Sequence, residues 1–310
     1  MSAAAQLEKP APDLLRILSG APAAAIIVAL AVLQQSLAHM DADNSWLITV
    51  AQQVSEGAVA YDDIQESNPP LAFLVYMPAV HAARILGFRP EAWVVVEILL
   101  LTFASMGLSG RILRRGGAMS DEEAPLWRNA ALFVFLIAPQ FGFAEREHFA
   151  ALFCAPLVAA AVVRAGGGSV ALPLALLAGL GGGLALCLKP YFAAGIGAAA
   201  LASAVQRRSP RLLFAPEYPA TAIVFLAYLG IVALVFPRFY EIMMPLGVEV
   251  YAPARRGLAE MLTMLPFLAH AGLLAGLVYA GRKIGFGARA PVLMAVSAGF
   301  LFTYVFQGKG

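Results

Sequence analysis

The stretch Ala21–Trp46, APAAAIIVALAVLQQSLAHMDADNSW, decides the fold. From Ala21 to Ala38 it carries no charged residue, and a hydrocarbon layer about 30 Å thick takes about 20 such residues as one helix. His39, Asp41 and Asp43 follow at once, and a helical pattern then runs from Asn44 to Glu56. This reads as a membrane helix that delivers an acidic segment to the bilayer surface. Ser36-Leu37-Ala38 has the spacing of a signal-peptidase site. The length of the run, and the apolar runs after it, favour an uncleaved anchor over a leader.

The rest of the chain fits this beginning. Of 310 residues, 61% are hydrophobic and 13% charged, against about 25% charged in an ordinary soluble domain. The net charge of +2 comes from Lys and Arg in short clusters between apolar runs, the distribution of loops that flank membrane helices. No nucleic-acid partner is expected. Cys154 and Cys187 sit singly inside apolar runs and match neither a disulfide framework nor a zinc motif.

The expected fold is all-α: a polytopic membrane helical bundle of about nine spans. They run Ala21–Ala38, Trp93–Leu113, Asn129–Gly142, Phe149–Val163, Val170–Leu188, Tyr191–Val205, Pro219–Phe236, Met261–Gly281 and Pro291–Phe306. Pro69–Leu86 is the ambiguous segment, apolar but carrying Pro78, His81 and Arg84. Cytoplasmic loops are enriched in Lys and Arg. If Pro69–Leu86 does not cross, Lys9, Arg16, Arg111, Arg114, Arg115, Arg128, Arg164, Arg207, Arg208, Arg211, Arg282, Lys283 and Arg289 share the cytoplasmic side, 13 of 21. If it does cross, the split is 10 to 11 and the bias disappears. The expectation is therefore an interfacial or re-entrant helix. Residues 1–20 form a cytoplasmic segment, residues 21–310 the membrane domain, and residues 39–92 a first extracytoplasmic loop that holds the interfacial helices.

The first part of that loop contains Asp41, Asp43, Glu56, Asp62, Asp63 and Glu66 without any Lys or Arg. Asp41 and Asp43 are placed by the end of the first span. A carboxylate there can deprotonate an acceptor hydroxyl or hold a divalent cation, and both readings stay open. Glu145-Arg146-Glu147-His148 falls on the same side: Glu145 and Arg146 can simply cap and solvate the start of a span, whereas Glu147 and His148 sit at the mouth of the apolar helix, where ionisable groups tend to be functional. Lys189 ends the fifth span and can bind a phosphate as a point charge or simply snorkel to the interface. His39, Arg84 and Arg89 are further candidates for phosphate contact.

Taken in order, Asp43-Asn44-Ser45-Trp46, Ala51-Gln52, Gly57, Tyr61-Asp62-Asp63 and Asn68-Pro69-Pro70-Leu71-Ala72 resemble the first loop of the GT-C glycosyltransferase superfamily. The likeness is to the protein mannosyltransferase and lipopolysaccharide-core galacturonosyltransferase group. Arg146-Glu147-His148 resembles the family's second acidic motif, and the likeness covers roughly residues 15–165. Asn44 stands where the family usually has a second acid.

The resemblance implies transfer of a sugar from a polyprenyl-phosphate donor to a lipid, glycan or protein acceptor, with inversion, on the periplasmic or outer face of a bacterial inner membrane. It implies Asp43, with Asp41 and Glu147, as the catalytic set. The implied substrate-binding set is Lys189, Asn68, His148, Tyr61 and Arg84. No cofactor is required by it, and a divalent cation, if used, has Asp43, Glu147 and His148 as candidate ligands. Such enzymes usually continue past the point where this chain stops, at Gln307-Gly308-Lys309-Gly310, so either a short member or a truncated chain is expected. A transporter or lipid flippase and a non-catalytic assembly subunit are the rival readings.

Overall fold

The structure is a computed structural model and describes residues 12–251, 253–284, 287 and 289–308. Lys9 and Lys309 lie outside the described residues. Among the described residues the protein is helical, without a named strand. The helices are α1 (Pro12–Ser19), α2 (Ala21–Leu37), α3 (Ala42–Ser55), α4 (Leu71–Leu74), α5 (Met77–Leu86), α6 (Pro90–Arg115), α7 (Ala124–Leu136) and α8 (Arg146–Ala165). They continue as α9 (Leu172–Leu188), α10 (Phe192–Arg207), α11 (Glu217–Val235), α12 (Met244–Tyr251), α13 (Leu258–Thr263), α14 (Leu265–Ile284) and α15 (Ala290–Gln307).

Four helical segments are long and apolar enough to cross a membrane: Pro90–Arg115, Arg146–Ala165, Pro210–Val235 and Ala290–Gln307. A fifth is added if α2 and α3, bent 81° from one another, form one broken span. Leu71–Leu86, α7 and α9 are shorter apolar helices. The run expected over Asn129–Gly142 is helical only to Leu136 and then tightens into a 3-10 turn at Gln140–Gly142, because Pro139 cannot donate the hydrogen bond that would continue the helix.

The bend after α2 has a local cause. Asp41 stands outside the helix in an extended conformation and caps α3, its carboxylate accepting the Asp43 backbone N–H at 2.8 Å. That satisfies one of the orphan donors of the first turn and starts a new helix in a new direction.

At the centre lies α8, the most buried of the long apolar helices. It meets α6 through the Ser105 hydroxyl, which donates to the Leu152 carbonyl at 2.6 Å, and α10 through Ser203, which donates to the Ala161 carbonyl at 3.0 Å. The helix α9 is held between α8 and α11 by glycines. A Cβ on Gly181 would stand 2.3 Å from the Phe153 carbonyl oxygen, and one on Gly179 would stand 2.5 Å from that of Glu217. In lipid, where burial gives no drive for helices to associate, such close backbone approach supplies the packing. Gly181→Ala is expected to push α9 off α8 and cost about 1–3 kcal/mol, read as a lower thermal unfolding midpoint in detergent. Gly197→Ala, at a position with open space, should leave that midpoint unchanged.

The helix ends gather into two groups. At one, Asn129 donates to the Leu18 and Gly20 carbonyls (2.7 and 2.9 Å), Arg289 pairs with Glu123 (2.9 Å) and Arg164 with Glu217 (3.1 Å). At the other, Arg146 pairs with Asp43 (3.4 Å), Lys189 with Glu147 (2.6 Å) and Arg238 with Asp62 (3.2 Å), while Thr303 donates to the Tyr191 carbonyl (3.2 Å). The ends of α2, α7 and α9 thus lie with the starts of α3, α8 and α10.

Candidate active site

Glu66 organises the first loop. It is 2% exposed, and its carboxylate accepts from the Trp46 indole N–H at 2.5 Å, the Asn68 backbone N–H at 2.7 Å and the Asn68 side-chain amide at 2.6 Å. A buried carboxylate is tolerable when its lone pairs are filled in this way. Asn68, so fixed, accepts from the Arg146 guanidinium, whose other terminal nitrogen reaches Asp43 Oδ2 at 3.4 Å. A continuous polar chain therefore runs Trp46, Glu66, Asn68, Arg146, Asp43, joining the start of α3, the segment before α4 and the start of α8.

Glu147, one residue on, faces the end of α9, where Lys189 Nζ lies 2.6 Å from its Oε1. The Lys189 side chain is 16% exposed and that of Glu147 49%. Asp43 is the most open of these groups, with its side chain 75% exposed. The arrangement presents one accessible carboxylate beside two partly withdrawn cations, which is the charge pattern for an acceptor hydroxyl next to an anionic leaving group.

Behind this surface sits a buried knot. Ala144 is fully buried with φ +63°, a left-handed conformation that an L residue keeps only when its surroundings hold it. Its N–H donates to His148 Nδ1 at 3.0 Å and its carbonyl accepts from the Tyr76 hydroxyl at 2.7 Å. Asn44, 1% exposed, donates its amide to the Phe143 carbonyl at 3.1 Å, and its Oδ1 lies 3.1 Å from the Tyr76 hydroxyl. A carboxylate at position 44 would have no proton to donate to Phe143.

The other expected residues distribute as follows. Asp41 is spent on capping α3. His148 is 5% exposed, with Nδ1 committed to Ala144. Tyr61 is 2% exposed, donates to the Asn68 carbonyl at 2.7 Å and packs among Phe73, Phe236 and Phe239, with ring centroids 5.5–6.2 Å away. It supports the site from below. Arg84 is not brought to the site: it pairs with Glu56 at 3.4 Å, at the opposite end of α3 from Asp43 and about 20 Å distant at 1.5 Å per residue. Arg89 stands at the start of α6.

Among the described residues no three His, Cys, Asp or Glu side chains gather as metal ligands. Asp43 and Glu147 each already face a fixed cation, and His148 is turned to Ala144. These candidates do not fit a shared divalent cation.

Glu145, expected with Arg146 simply to cap and solvate the start of a span, makes no side-chain capping hydrogen bond. It stands at the start of α8, and among the described residues its carboxylate has no hydrogen bond or ion pair. Burial, then the Glu147 and Asp41 carboxylates, raise its proton affinity above the ordinary carboxylate range, against the opposing pull of Lys189 and Arg146. The folded chain therefore binds this proton more tightly than the unfolded chain, so stability falls as pH rises through the ordinary carboxylate range and on through Glu145's own. A Glu145→Gln variant should lose that slope when thermal midpoints are compared across the pH series.

No family model, no curated protein and no solved structure matches this chain.

Proposed function

We propose that this chain is a membrane glycosyltransferase that moves a sugar from a polyprenyl-phosphate donor to a lipid, glycan or protein acceptor. The carrying observation is the convergence of Asp43, Arg146, Glu147 and Lys189, from three separate segments, on one end of the bundle. The sequence resemblance supports the same reading independently.

In this reading the bundle is nine-spanning, and α3 and the Leu71–Leu86 segment lie in the interface on the extracytoplasmic side. The end that gathers Arg16, Arg114, Arg164, Arg207 and Arg289 is cytoplasmic in a bacterial inner membrane, in line with the positive-inside bias. The 81° turn between α2 and α3 supports the interfacial placement.

The Asp43 carboxylate takes the proton of the acceptor hydroxyl as its oxygen forms a bond to the anomeric carbon. The bond from that carbon to the phosphate oxygen breaks on the opposite face, and the electron pair leaves with the polyprenyl phosphate. Configuration inverts. Lys189 neutralises the departing phosphate, Glu147 holds Lys189 in place, and Arg146 keeps Asp43 at the mouth. A polyprenol tail would lie alongside the apolar helices.

The reading is tested by supplying purified chain with a panel of radiolabelled polyprenyl-phosphate sugars and, in parallel, measuring lipid flipping and solute uptake in proteoliposomes. Sugar transfer supports it. Flipping or uptake without transfer overturns it in favour of a transporter.

A further inference from the structure

A cavity lies away from this site. A cleft of about 1350 Å³ opens between α6, α7, α8 and α15, above the roughly 300–1,000 Å³ that holds a drug-sized ligand. Ala151, Ala155 and Ala159 make one wall. They recur every four residues, hence on one face of α8, and their small side chains leave the space that larger residues would fill.

The mouth at the arginine-rich end carries Arg16, Glu122, Glu123 and Arg289. Two of these are mutually satisfied: Arg289 reaches both oxygens of Glu123, at 2.9 and 3.4 Å. The Arg289 hydrogen bond, with the Ser120 backbone N–H, holds the Glu123 carboxyl down at about 2. Arg16 and Glu122 differ. Among the described residues neither side chain has a hydrogen bond or ion pair, and both border the same apolar space. One unmatched cation and one unmatched anion at the lip of an apolar cleft complement a headgroup that carries one charge of each sign.

We infer that this cleft binds a zwitterionic phospholipid of the ethanolamine type, with its phosphate against Arg16, its ammonium against Glu122 and its acyl chains between α7 and α8. The inference rests on membrane insertion of the chain and not on glycosyl transfer. An anionic phospholipid or a polyprenyl phosphate satisfies Arg16 but leaves Glu122 facing negative charge.

Native mass spectrometry of the full chain in detergent tests this directly, with phosphatidylethanolamine and phosphatidylglycerol of identical acyl chains as probes. Phosphatidylethanolamine should bind about tenfold more tightly, the worth of one charge-assisted hydrogen bond. Arg16→Glu should weaken it by about the same factor, and Glu122→Lys should turn the preference toward phosphatidylglycerol. Equal binding of both lipids, unmoved by either substitution, overturns the inference. So does displacement of phosphatidylethanolamine by a polyprenyl monophosphate, which would assign the cleft to the donor. Because the readout involves no sugar, failure here leaves the transfer reading standing, and loss of transfer leaves this one standing.

Discussion

On the proposed transfer reading, Asp43→Asn is expected to lower sugar transfer by about 10²–10⁴, the usual contribution of a positioned general base, with no change in insertion or unfolding midpoint. The substitution keeps the shape of the side chain and an oxygen for Arg146, which lies 3.4 Å from Oδ2, but removes the proton acceptor. Initial rates with a polyprenyl-phosphate sugar, measured on protein matched for monodispersity, give the ratio. Glu56→Gln is the control. It sits at the far end of the same helix, paired with Arg84, and should leave the rate unchanged.

The second large effect is on stability. Arg164 in the last turn of α8 grips Glu217 in the first turn of α11 with two parallel hydrogen bonds of 3.1 and 3.2 Å. The Glu217 side chain is completely buried and that of Arg164 is 15% exposed. Both charges also complement their helix ends, an anion at a start and a cation at a finish. Arg164→Ala strands a buried carboxylate and should cost about 3–5 kcal/mol, seen as a large fall in the thermal midpoint. Arg164→Lys should recover only part of the loss, since an ammonium cannot reproduce the two-pronged contact. Replacing both residues by Met should recover more than either single change, because no charge is then left unpaired.

The two ends of the bundle are linked through α9. Thr221 on α11 donates to the Glu217 and Gly179 carbonyls, and ten residues after Gly179 the same helix places Lys189 beside Glu147. Stability at the arginine-rich end and geometry at the acidic end therefore share one glycine-faced helix.

The all-helical class with membrane-compatible helices was legible in the chain itself. Long uncharged runs announce helices because lipid leaves the backbone no other partner. The acidic order after Ala38 pointed to Asp43, and charge asymmetry argued that Pro69–Leu86 stays on one side. What was not legible depends on pairing across distance. Nothing local says that Glu66 is buried, that Trp46 and Asn68 converge on it, or that Asn44 must donate to Phe143. Arg84 read only as a further candidate for phosphate contact, and the direction of α3 carries its partner Glu56 away from the site. The early end of α7 was signalled by Pro139, but hydropathy alone ran past it.

The most direct measurement is transfer of radiolabelled sugar from a polyprenyl-phosphate panel by the purified chain, compared between the wild-type sequence and Asp43→Asn. The account predicts transfer from at least one donor by wild type, with inverted product configuration, and near-complete loss in the variant. Equal rates from wild type and variant, with both proteins folded, would contradict it.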